Sequence, residues 1–101
     1  MWRAFTSLHD AAMRPGALDS RTKELIALAI GAAKGCDGCV AYHARAAAQH
    51  GATRAEVAEA LGVVLLMDGG PATTHAPRAF AAYLDFVETE AEDVVAAADG
   101  G

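Results

Sequence analysis

Glu24–His43, ELIALAIGAAKGCDGCVAYH, reads as two helices folded back on one another at a glycine. The first runs through Glu24, Leu28 and Gly31 and stops at Lys34-Gly35; the second opens near Cys36-Asp37 and runs on to His50-Gly51, where another glycine ends it. Cys36 and Cys39 form a C-x-x-C pair, and His43 follows four residues after the second cysteine. Offsets of three and four place all three side chains on one face of a helix. An αα-hairpin hinged at Gly35 sets Cys39 opposite Gly31 and His43 opposite Ala27. Glu24 then lies about 4.5 Å further along the axis at a rise of about 1.5 Å per residue, within reach of His43 directly or through one water. The expected order of groups is Glu24, His43, Cys39.

Working outward, residues 1 to 14 bring Trp2, Phe5, Leu8, Ala12 and Met13 to helical spacing, and Pro15-Gly16 closes that helix. Asp19 is placed to cap the next one. Thr53-Arg54-Ala55-Glu56 is a capping box, so a fourth helix begins there, with Val57, Ala60, Leu61, Val64 and Leu65 turned inward, and is broken by Asp68-Gly69-Gly70-Pro71. A fifth helix from about Thr73 presents Ala76, Phe80, Tyr83, Leu84 and Val87 to the core. Strand-like alternation is lacking, so the expected fold is all-α: a single compact domain of about five helices over residues 1–101, with its core over about 18–90 and a flexible acidic, alanine-rich tail over 92–101.

Composition narrows the partners. A net charge of -5 without a cluster of Lys or Arg argues against nucleic acid, whose phosphates demand concentrated positive charge. The apolar runs LIALAIGAA and VVLLM fall short of the roughly 20 residues that a bilayer requires, and the N-terminal segment lacks a signal-peptide core. A cytoplasmic location is the default expectation, and there two cysteines at this spacing point to catalysis or metal binding rather than to a structural staple. A hydrophobic fraction of 53%, much of it alanine and only 6% aromatic, is high for a small monomer. The core is therefore expected to be completed by further copies of the chain.

A free thiol with a pKa near 8.5 is about 3% thiolate at pH 7, and the thiolate is the nucleophile. An imidazole and a helix N-terminus both favour the anion. Cys39, one turn from His43, is the expected attacking thiol and Cys36 the resolving thiol, although Cys36 sits nearer the helix N-terminus and gains more from the dipole. Two other readings stand beside this one. Cys36, Cys39 and His43 could form part of a zinc site, which needs a fourth ligand that nothing else in the chain supplies at matching spacing, or the pair could be inert. Among the other groups, His75 and Tyr42 could border the site, His9 and His50 read as surface residues, Trp2 and Phe5 as core or subunit contacts, and Met67 as a core filler.

Taken together, E-L-I-A-L-A-I-x-x-A-x-x-C-x-x-C-x-x-x-H, then G-A-T-R-x-E-x-x-E-A-L and M-x-G-G-P-A, resemble the alkylhydroperoxidase (AhpD-like) branch of the carboxymuconolactone decarboxylase family over residues 18 to 82. The resemblance implies an all-helical homo-oligomer, trimer or hexamer, acting as a peroxidase or disulfide reductase without a bound cofactor or metal. Its substrate would be a hydroperoxide, and its disulfide would be reduced by an external dithiol such as a lipoyl group. It also implies a proton relay through Glu24, Cys36, Cys39 and His43. One position departs from the pattern: the best-known peroxidase members carry a histidine directly before the second cysteine, where this chain has Gly38. That departure keeps open a redox-sensing or non-catalytic member of the same family. The decarboxylase branch generally lacks the C-x-x-C pair, so the resemblance does not point to lactone decarboxylation.

Overall fold

A computed structural model describes residues 1–100 of the chain, with side chains described for residues 1–90. It contains five helices: α1 (Trp2–Met13), α2 (Ser20–Ala33), α3 (Asp37–Gln49), α4 (Arg54–Asp68) and α5 (Ala72–Gly100). The flexible tail expected over 92–101 lies outside the residues whose side chains are described. Among the described residues, no helix is long and apolar enough to cross a membrane.

Local chemistry sets the helix ends. The Asp19 carboxylate accepts the Thr22 N–H at 2.7 Å and caps α2. At α4, Thr53 Oγ1 accepts the Glu56 N–H at 3.1 Å while Glu56 Oε1 accepts the Thr53 N–H at 2.9 Å, a reciprocal capping box. Arg21 reaches both acids, Asp19 at 3.7 Å and Glu56 at 3.5 Å, and so joins the starts of α2 and α4. The hydrogen bonds from Thr22 hold the Asp19 carboxyl below its ordinary range, and those from Thr53 do the same for Glu56.

Both long turns close in the same manner. After α2, Cys36 N–H donates to Gly31 C=O and Gly35 N–H to Ala32 C=O; after α3, Ala52 N–H donates to Ala47 C=O and Gly51 N–H to Ala48 C=O. Gly35 (φ 65°) and Gly51 (φ 86°) occupy the left-handed position that this Schellman pattern requires and that a side chain disfavours.

The core lies among α2, α3, α4 and α5. Leu28, Val40, Val57, Leu61, Val64 and Tyr83 supply its larger side chains, and Ala32, Ala44, Ala47, Ala72, Ala76 and Ala79 let the helices approach closely. The buried Tyr83 hydroxyl donates to Ala52 C=O at 2.5 Å and ties α5 to the α3–α4 turn, and burial pushes its phenol pKa up.

Two expectations about packing require correction. Leu65 and Met67 are exposed (44% and 78%), because α2 and α5 cover α4 along the Val57–Leu61–Val64 stripe and leave its other side uncovered. Of the two readings of Trp2 and Phe5, core or subunit contact, the first does not hold: α1 buries none of its side chains and is held to α2 by polar ties, Ser20 Oγ to Met13 C=O at 2.9 Å and Lys23 Nζ to Arg14 C=O at 2.6 Å.

Candidate active site

The hairpin of α2 and α3 brings Glu24, Cys36, Cys39 and His43 together. Cys36 and Cys39 are joined as a disulfide with their Cα atoms 5.2 Å apart, which the start of a helix permits because residues three apart share a face. Cys36 is the N-cap of α3, and its Sγ accepts the Cys39 N–H at 3.2 Å. A negative charge on Cys36 would therefore meet a backbone donor and the positive end of the helix. Cys39 is exposed whereas Cys36 is half-buried, so access and dipole favour different sulfurs.

The close approach at Cys39 depends on Gly31. A Cβ built there would sit 3.1 Å from the Cβ of Cys39, tighter than ordinary van der Waals contact. On the other side of the hinge, a Cβ at Gly35 would meet the His75 ring at 3.0 Å. His75 therefore packs behind the turn and is not among the residues that line the cavity in front of Cys39.

Glu24 is buried (2% exposed) on α2, and its Oε2 lies 2.7 Å from Nδ1 of His43. The contact is direct, without a bridging water. A carboxylate at Nδ1 fixes the orientation of the ring, leaving Nε2 as the nitrogen free to exchange protons. Two further aromatic contacts hold the imidazole: Tyr42 edge-on at 5.0 Å between ring centroids and His9 nearly parallel at 6.2 Å.

In front of Cys39 and His43 opens a cavity of about 520 Å³, walled by α3 (Gly38, Cys39, Tyr42, His43) and by α1 (Trp2, Phe5, Thr6, His9, Asp10). Its α1 wall was missed from the sequence. The signal was present: Trp2, Phe5 and His9 recur at intervals of three and four, the spacing of one helical face. His9, expected at the surface, is only 23% exposed, its ring packed against those of Tyr42 and His43. His50 is exposed at the end of α3, as expected.

Nothing occupies the space above Gly38, where an added Cβ would have no neighbour within 4 Å. Among the described residues, no group of three or more His, Cys, Asp or Glu side chains is arranged to hold a metal ion. With both sulfurs in a disulfide, neither is a thiolate ligand in this state.

Comparison with known proteins places this geometry among relatives. Residues 1–82 match the carboxymuconolactone decarboxylase family profile. An uncharacterised protein of Cupriavidus necator is 44% identical over 82 residues, 81% of this chain and 72% of the relative. An uncharacterised protein of the cox locus of Paracoccus denitrificans is 40% identical over 78 residues, 77% of this chain and 70% of the relative. Solved structures are similar as well. A carboxymuconolactone decarboxylase family protein of Legionella pneumophila superposes with a TM-score of 0.82 at 44% identity, covering 84% of this chain and 76% of that one. A family member of Thermotoga maritima, for which a part in an antioxidative response has been suggested, gives a TM-score of 0.81 at 35% identity, covering 90% and 78%.

Proposed function

The chain belongs to the carboxymuconolactone decarboxylase family, and from that premise and the geometry of the α2–α3 hairpin we propose that it is a thiol-dependent peroxidase of the alkylhydroperoxidase type. The observation that carries the reading is the coincidence of a C-x-x-C disulfide with a histidine bound at Nδ1 by a buried carboxylate, both beside an open cavity. The antioxidative role suggested for the Thermotoga maritima neighbour points the same way.

In this reading Cys39 is the attacking thiol, because Cys39 lines the cavity with His43 and Cys36 does not. His43 takes the Cys39 proton, and Glu24 stabilises the imidazolium that results. The thiolate attacks the terminal oxygen of a hydroperoxide: the S–O bond forms as the O–O bond breaks, the alkoxide leaves as alcohol, and Cys39 becomes a sulfenic acid. Cys36 then attacks that sulfur and expels water, closing the disulfide seen in the structure. An external dithiol, lipoyl-like in the related peroxidases, returns both thiols by exchange and is itself oxidised.

A steady-state assay tests the proposal: hydroperoxide should be consumed over many turnovers with a dithiol reductant, and Cys39→Ser should abolish the activity. A single stoichiometric oxidation that then stops would replace this reading with a redox sensor.

A further inference from the structure

His9 is the feature that the hairpin mechanism leaves unused. It belongs to α1, outside the hairpin, yet its ring stands 5.5 Å from Tyr42 at nearly a right angle and 6.2 Å from His43 in a near-parallel stack, on the wall of the same cavity as Cys39. Its Nδ1 faces Asp10 Oδ1 at 3.5 Å, a long contact. Among the described residues, its Nε2 has no hydrogen-bond partner although the atom is shielded from solvent. A buried polar nitrogen without a partner is costly and calls for an explanation.

We propose that His9 is a second catalytic imidazole: the acid that protonates the oxygen leaving the hydroperoxide while His43 serves as the base for Cys39. The two tasks conflict in one residue. A histidine that has just taken the thiol proton, with its other ring nitrogen held by Glu24, serves one proton transfer at a time, and an independent acid removes that conflict. Gly38 bears on the same need, since it leaves the cavity open where a side chain on α3 could have stood, and His9 enters from α1.

The step balances. As the Cys39 thiolate bonds to the terminal oxygen, the O–O electron pair departs on the alkoxide; the alkoxide takes the proton of protonated His9 and leaves as alcohol, and the His9 ring, which lines the open cavity, is reprotonated from solvent through it. The groups that face His9 are Asp10 on its own helix and Tyr42 and His43 on α3, with Glu24 of α2 behind His43.

This inference rests on the peroxidase reading, and the nature of the leaving group separates the two. An acid matters for a poor leaving group and little for a good one. Three reactions of the reduced protein should be timed in the wild type, His9→Gln and His9→Phe: oxidation by tert-butyl hydroperoxide, which expels an alkoxide; oxidation by peracetic acid, which expels a carboxylate; and alkylation by iodoacetamide, which expels iodide. Both variants should lose about a hundredfold with the hydroperoxide and change less than about threefold in the other two, with the pH profile of the hydroperoxide reaction losing one limb. Equal losses in all three reactions, or unchanged rates in all three, would assign His9 a structural role and overturn the proposal. A wild type that reacts with hydroperoxide no faster than free cysteine does would overturn the peroxidase reading, and this inference with it. Because α1 buries none of its side chains, the variants should fold as the wild type does.

Discussion

At the scale of residues, the pair Glu24–His43 couples stability to reactivity. His43→Ala would leave the Glu24 carboxyl buried without its partner, a loss of roughly 3 kcal/mol by comparison with other buried pairs, readable as a lower midpoint in denaturant. The same substitution should raise the Cys39 titration and slow alkylation at pH 7 by about tenfold. Glu24→Gln should act in the same direction and less strongly, since it works through His43. Alkylation rate against pH for the three proteins reads the order of the groups, and superimposable curves would show that the residues share a site without sharing a function. Gly31 makes a separate demand. A β-branched side chain there has no room against Cys39, so Gly31→Val should cost roughly 1–3 kcal/mol in thermal unfolding.

Among the elements, the caps contribute a pH dependence to stability. Removing either cap by Asp19→Ala or Thr53→Ala should lower the midpoint of thermal unfolding. Asp19 and Glu56 have pKa values lowered by folding from their ordinary 3.8 and 4.5. Their contribution is therefore complete above those ordinary values and is lost as the pH falls through the lowered ones. Acid should weaken the starts of α2 and α4 first, and Asp19→Asn together with Glu56→Gln should flatten the dependence of melting temperature on pH in that window. An acid limb unchanged by both substitutions would place the titrating groups elsewhere.

For the whole molecule, the uncovered apolar side chains decide the expectation. Ile26 and Ile30 on α2 and Val63, Leu66 and Met67 on α4 are exposed, and α1 presents Trp2, Phe5 and Leu8. Faces of this kind on a chain of 10.3 kDa are expected to meet other copies. Light scattering should give at least three times the chain mass, and Leu66→Glu with Met67→Glu should lower it if the α4 face forms the contact. A stable monomer at micromolar concentration would contradict this expectation.

Much of this molecule is written locally, in signals spanning a few residues. Asp19 and the Thr53–Glu56 box start helices by satisfying backbone donors, Gly35 and Gly51 stop them by accepting a positive φ, and the hinge at Gly35 sets the register that faces Cys39 with Gly31 and His43 with the α2 carboxylate. Such signals act through neighbouring backbone, so the sequence alone determines them. Which side of an apolar helix is covered is not local. Val57, Leu61 and Val64 share α4 with Val63, Leu65, Leu66 and Met67, and a helix apolar on most of its circumference carries no periodicity to mark the buried stripe. The placement of α1 was equally a tertiary decision: its aromatic face and His9 could have joined the core, but the contacts of α1 with α2 and α3 made them one wall of the cavity in front of Cys39. Helix ends obey backbone hydrogen bonding within a turn, whereas burial depends on which distant surfaces arrive.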